Sequence, residues 1–328
     1  MIIAKTPFRV SFFGGGTDVA QFFNKYRGAV ISTCIDKYCY VTVRRLLPFF
    51  GFSSELSYSK TERIASLDEI EHPAIRNAMK MMNVDEIRLV YDSDLPARSG
   101  LGTSSSFCVG MLNAFYKLNG QTIDRNKLAS DAIHLERNLC NEYGGWQDQI
   151  AVTYGGLNRI DFSKNRFSVK PIAIPLERKE ELNNNLMLFF TGFTRMSSII
   201  QEELCKSIDQ KNQYLFEILE SVDIAEEILT DSTRDLEEFG KLLDYTWNVK
   251  RQLSNTISNK KIDELYAIGK NAGAIGGKLL GAGGGGFFLF YVPRNKQREV
   301  KEALKELMYI PFRFIDEGSQ IVYSKVEA

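Results

Sequence analysis

The sequence predicts an α+β fold in two domains, and three observations carry that prediction. The first half opens with strand-dense segments and then alternates helix and strand without a strict βαβ period. The second half is built mainly from long amphipathic helical stretches that lead into a short apolar strand. The 328 residues also exceed one typical core, because domains run at roughly 150 residues each.

Taken in order, residues 2–13 read as a strand. Residues 29–45, AVISTCIDKYCYVTVRR, have the β-branched and aromatic density of one or two more. Helical spacing marks 71–82 and 122–142, and 107–118 continues as an apolar helix straight out of a serine-rich loop. The strand pattern returns over 158–174. Pro175 and the charged run ERKEEL then interrupt the chain before a strand at 186–190. A boundary is therefore expected within 175–185, giving domains 1–180 and 181–328. Beyond it, 197–238 and 238–258 read as amphipathic helices, 262–278 as mostly helical, 287–292 as an apolar strand and 296–308 as a helix before a last strand. Helices on a small antiparallel sheet are the expected second layer.

Composition narrows the function classes. Lysine plus arginine and aspartate plus glutamate are equal at 41 each, so no global field attracts a polyanion, and a small ligand is favoured over nucleic acid. Cys34, Cys39, Cys108, Cys140 and Cys205 are scattered without a C-x-x-C pair, and His72 and His134 are the only histidines. A structural zinc site is not expected. No apolar run reaches the roughly 20 residues that span a bilayer, and the N-terminus lacks the apolar core of a signal peptide. The expectation is a cytoplasmic chain with reduced cysteines and no membrane partner. Oligomeric state stays open, with a homodimer one possibility.

Three glycine-rich segments carry the chemistry: FFGGGTD at 12–18, SGLGTSSS at 99–106 and LLGAGGGG at 279–286. Glycines let backbone amides approach an anion closely. The middle segment runs directly into a helix, so its glycines and hydroxyls sit at a helix N-terminus, where free amides and the dipole attract phosphate. The last segment formally matches G-x-G-x-x-G, yet that fingerprint needs a strand before it and a helix after it. Here helix precedes and strand follows, so a dinucleotide fold is rejected. GAIGGKL at 273–279 is also short of a Walker A loop and has leucine where magnesium needs a hydroxyl.

Together, in this order, the three segments resemble the GHMP kinase family: TPFRVSFFGGGTD its first motif, LPARSGLGTSSS its second and KLLGAGGGGFFLFY its third. The resemblance runs nearly end to end. It implies a two-domain GHMP kinase fold, with an N-terminal half like domain 2 of ribosomal protein S5 and a C-terminal ferredoxin-like α/β sandwich, and ATP in the cleft between them. ATP phosphates are then expected at Ser99, Gly100, Leu101, Gly102, Thr103, Ser104 and Ser105, and at Gly283 and Gly284. Asp148, in GGWQDQ, matches the family's catalytic aspartate. Arg9 falls where relatives place a Lys or Arg that would stabilise the ionised aspartate and the developing alkoxide. Ser104 and Glu136 match positions that hold Mg²⁺. The gap from Glu136 to Asp148 is slightly longer than in mevalonate kinase, and Glu142 is a second candidate.

The first motif looks most like the branch that phosphorylates the anomeric hydroxyl of sugars, heptose 7-phosphate above all. Galactokinase-like members carry Glu-His where this chain has Gly15 and Gly16. The resemblance implies that Gly15, Gly16, Thr17 and Asp18 shape the sugar site, with Trp146 lining it and Arg195 meeting a distal phosphate. The implied reaction moves the γ-phosphoryl of ATP to C1 of D-glycero-D-manno-heptose 7-phosphate, giving the 1,7-bisphosphate. Fucose or another heptose as acceptor, and a catalytically silent sugar- and nucleotide-binding protein, are the alternatives. The aromatic residues Phe12, Phe13, Phe22, Phe23 and Tyr26 read as core packing.

Overall fold

The structure is a computed structural model that describes residues 1–97, 99–193, 202, 203, 205 and 211–325. Arg195 and the first part of the helix expected at 197–238 lie outside the described residues.

A nine-stranded sheet forms the first layer. Its centre is the hairpin of β1 (Ile2–Phe13) and β2 (Gly28–Arg45), antiparallel from Ile2 opposite Val43 to Phe13 opposite Ile31, with the register shifting between Pro7 and Phe8 and again between Ser11 and Phe13. β3 (Ser54–Ser57), β4 (Thr61–Ile64) and β5 (Ile87–Ser93) extend one side, and β6 (Leu157–Ser163) and β7 (Arg166–Pro171) extend the other end of β2. Short helices α1 (Ala20–Phe23) and α2 (Pro73–Met82) fill loops. The apolar α3 (Thr103–Leu118) is buried along most of its length, with α4 (Arg125–Ile133) and α5 (Gln147–Tyr154) beside it. The helix expected over 122–142 ends earlier, because His134–Leu139 continues α4 as a π-helix and the chain then leaves the helical path.

The second layer begins with α6 (Leu176–Asn184) and β8 (Leu186–Phe190). Its long helices are α7 (Asn212–Thr230), α8 (Glu237–Arg251) and α9 (Lys260–Asn271). β9 (Gly276–Leu279), β10 (Phe287–Tyr291), α10 (Gln297–Ala303) and β11 (Met308–Ile310) complete it. The sheet order is β11-β8-β10-β9, all antiparallel. The mostly helical reading of 262–278 is thus corrected: Gly276–Leu279 is a strand paired with β10, with Gly277 letting Leu289 and Phe290 of β10 come close and Gly276 admitting the Gly240 carbonyl of α8. The Rossmann rejection stands on its other leg, since a strand and no helix follows the glycine loop.

The assignment of all of 181–328 to the second domain needs a second correction. The chain returns after β11, and β12 (Phe314–Ile315) pairs with β2 while β13 (Gln320–Ser324) pairs with β1. Only a long-range pairing puts these strands in the first sheet. The two layers also share one apolar core: Phe12 and Phe13 meet Phe239 of α8 edge to face, with ring centroids 5.2 and 5.0 Å apart. Burying both faces of β1 in this way fixes its tip against the second layer and leaves a cleft beside it. No helix of the described residues is long and apolar enough to cross a membrane.

Candidate active site

The cleft opens where β1 loses its outer neighbour. β13 pairs with β1 only over Ile2–Lys5, and further along the Arg9 amide donates instead to the Leu101 carbonyl at 3.0 Å. The second glycine segment therefore takes an edge strand's place against β1. Gly100 has φ +84°, and a Cβ there would lie 2.4 Å from the Leu280 carbonyl oxygen. Backbone meets backbone across the cleft, so the second and third glycine segments touch directly, and a side chain on either would wedge them apart.

At the floor, Arg9 and Asp148 form a two-pronged pair. Arg9 Nε donates to Asp148 Oδ1 at 2.9 Å and Nη2 donates to Oδ2 at 2.8 Å, while Nη1 donates to the Gly100 carbonyl at 2.7 Å. Such a fork fixes the carboxylate plane, and each oxygen keeps lone-pair capacity for a further proton. Arg9 is 3% exposed and Asp148 26%, so the carboxylate is the partner that faces the cleft. Asp148 sits in the first turn of α5, where the helix dipole favours an anion.

The N-terminal end of α3 forms one wall. Gly102 is its left-handed N-cap residue and no side chain caps the end, so the first amides of the helix face the cleft, which Gly100, Gly102, Thr103, Ser104 and Ser105 line. Glu136 is buried against this end. Its carboxylate accepts from Ser104 Oγ at 3.2 Å, from Ser105 Oγ at 2.7 Å and from Gln149 Nε2. Glu136 lies within the π-helix. A π-turn accommodates an extra residue in a helix, and from within it Glu136 reaches Ser104. Glu142 also lines the cleft, so the second candidate is close by.

Magnesium prefers hard oxygen ligands and keeps several waters, so it is usually held by one or two carboxylates plus phosphate oxygens. The Glu136 carboxylate beside the Ser104 hydroxyl fits that donor chemistry. Among the described residues no group of three or more His, Cys, Asp or Glu forms a cage that could hold a metal by itself.

The opposite wall comes from the first glycine segment. Asp18 is 4% exposed and accepts from the Gly16 amide at 2.9 Å and the Gln147 amide at 3.2 Å. Burial raises its pKa, opposed by the Gly16 amide, and the nearby Asp148 charge pushes in the same direction as burial. A Cβ at Gly145 would fall 1.7 Å from Asp18 Oδ2, so glycine there is what admits the carboxylate. Two buried acceptors beside Gly15 have no partner among the described residues, Ser11 Oγ and Gln147 Oε1, and both residues line the cleft. Buried polar atoms are nearly always hydrogen-bonded, so these two mark where a ligand's hydroxyls would go.

Several expected residues stand elsewhere. Thr17 is fully buried and donates to the Gly14 and Ala29 carbonyls, both at 2.9 Å, so its hydroxyl closes the β1–β2 loop and does not face the cleft. The Trp146 ring packs edge to face on Phe23, with centroids 4.8 Å apart, and lines a separate depression with His134 and Phe167. Only its backbone serves the site, donating to the Asp18 carbonyl at 3.0 Å. Ser99 and Leu101 are fully buried behind the loop. Gly283 lines the cleft, but the Gly284 amide is already spent on the Ile257 carbonyl at 2.9 Å and is not free for phosphate.

Among the cleft residues that had no role in the sequence reading are Ser11, Gln147, Lys250 and Lys278. Ser11, Gln147 and Lys278 all lie inside the quoted motifs, so adjacency was a usable signal. Lys250 had none, being one cation among many on an amphipathic helix.

A carboxylate fixed by a guanidinium, facing an uncapped helix end and two glycine loops, defines a small-molecule phosphotransferase. The chain belongs to the GHMP kinase family. The model of the GHMP kinases N terminal domain matches residues 69–156 and that of the GHMP kinases C terminal matches 224–310. The chain is 30% identical over 333 residues to the D-glycero-alpha-D-manno-heptose 7-phosphate kinase of Campylobacter jejuni, covering 97% of each. The crystal structure of a D-glycero-D-manno-heptose 1-phosphate kinase from Bacteroides thetaiotaomicron superposes with a TM-score of 0.81 at 24% identity, over 99% of this chain and all of that one. A putative sugar kinase from Campylobacter jejuni gives a TM-score of 0.71 at 27% identity, over 98% and 97%. The protein is a sugar kinase, and ATP is its phosphoryl donor.

Proposed function

We propose that the enzyme transfers the γ-phosphoryl of ATP to the C1 hydroxyl of D-glycero-D-manno-heptose 7-phosphate. The observation that carries this is the Arg9–Asp148 pair at the floor, open on one side to the α3 N-terminus and on the other to unpartnered hydroxyl and amide acceptors. The Campylobacter relative's substrate supports the choice of acceptor.

Asp148 takes the proton of the acceptor hydroxyl as that oxygen bonds to the γ-phosphorus and the bond to the ADP oxygen breaks. Arg9 holds Asp148 in place. Asp18, Ser11 and Gln147 orient the sugar, and the amides of Gly102, Thr103 and Ser104 cradle the phosphates. Ser104 and Glu136 would hold Mg²⁺, which when bound offsets phosphate charge.

The test compares kcat/KM for the heptose with and without its 7-phosphate. Strong preference for the phosphorylated sugar is expected, and equal use of the free sugar would remove the assignment.

A further inference from the structure

We infer that Lys250 is a second cation at the reaction centre, held by the C-terminal layer so that its ammonium touches the phosphoryl group in transfer. The inference rests on the kinase reading and deepens it.

Two lysines reach the cleft from the second layer, Lys250 from the last turn of α8 and Lys278 from β9. Each has a backbone carbonyl as its partner: Lys250 Nζ donates to Gly281 at 2.5 Å and Lys278 Nζ donates to Phe12 at 2.6 Å. Among the described residues neither forms an ion pair. A carbonyl dipole compensates a buried cation poorly, so the arrangement is complete only with an anion between the walls.

Position selects which anion. Gly281 is the residue whose backbone meets Gly100, so Lys250 is anchored at the seam between the second and third glycine segments. Its charge interacts with Arg9 of β1, Asp18 of the first glycine segment and Asp148 of α5, and Lys278 faces it from β9. Arg9, Asp18 and Asp148 surround the place of the acceptor hydroxyl. A phosphate carried at the far end of the acceptor would lie several bonds outside that ring, whereas the group being transferred lies within it. As the acceptor oxygen bonds to phosphorus and the ADP oxygen leaves, Lys250 exchanges no proton and offsets charge on the equatorial oxygens. Burial, followed by the charge on Arg9, lowers its pKa to about 8. The charged form is required, so kcat/KM falls as pH rises through about 8.

The experiment uses Lys250→Met and Lys250→Arg in the full chain, with calorimetric titration of MgADP alone and of MgADP with aluminium fluoride. Wild type should bind the fluoride complex much more tightly than MgADP. Lys250→Met should lose at least about tenfold of that difference with MgADP affinity unchanged, and its kcat should fall by about 10²–10³, as for loss of one transition-state donor. Lys250→Arg should keep most of the difference and carry activity to higher pH. An undiminished fluoride preference in a folded Lys250→Met overturns the inference alone. So does a raised KM for phosphorylated acceptor at unchanged kcat, which would put Lys250 on the acceptor's own phosphate. No fluoride preference in wild type would overturn the phosphoryl-transfer reading beneath it.

Discussion

The two walls of the cleft hold their charges differently. On the N-terminal side every catalytic charge has a side-chain or amide partner in place: Arg9 with Asp148, Glu136 with Ser104, Ser105 and Gln149, Asp18 with two amides. On the C-terminal side Lys250 and Lys278 lean, among the described residues, on carbonyls alone. The first wall is preorganised without ligand, and the second gains its counter-charge when phosphate arrives. The walls therefore divide the work, one fixing geometry and the other responding to charge.

The largest expected effect breaks the preorganised wall. Asp148→Asn keeps a group of the same size against Arg9 but removes the proton acceptor, so kcat should fall by about 10²–10⁴ with ATP affinity nearly intact. Single-turnover kinetics with a nucleotide titration check this, and unchanged turnover would strip Asp148 of its role.

A smaller effect separates the walls. Gly100→Ala places a methyl group 2.4 Å from the Leu280 carbonyl at a residue with φ +84°. Strain of that kind costs about 1–3 kcal/mol, and the urea midpoint should drop together with nucleotide affinity. A fall in stability with full nucleotide affinity would mean the seam does not shape the phosphate site.

Thr17→Val sharpens the comparison by testing a residue behind the wall. Loss of its hydroxyl leaves buried backbone groups unpaired at about 1–3 kcal/mol, with kcat and acceptor KM retained. If acceptor KM rises and stability does not change, Thr17 belongs to the substrate site after all.

The sequence showed one wall far better than the other, for physical reasons. Residues such as Arg9, Asp148, Ser104 and Glu136 sit in or near segments whose glycines, hydroxyls and helix start announce a phosphate cradle. The glycines of β9 hid a strand, because its partner β10 supplies the side chains that pack there. β12 and β13 were placed with the wrong half, since only pairing across the whole chain sends them to β2 and β1. Trp146 shows the limit of adjacency: two residues from Asp148, its ring points to Phe23. Lys250 was invisible because a helix brings it to the cleft from a remote part of the chain.

The most direct test of the account is ³¹P NMR of the reaction with D-glycero-D-manno-heptose 7-phosphate and ATP. The account predicts a new anomeric phosphate resonance coupled to H1 of the heptose, growing in step with ADP and absent with Asp148→Asn over the same period. Phosphate on any other carbon, or release of inorganic phosphate alone, would contradict it.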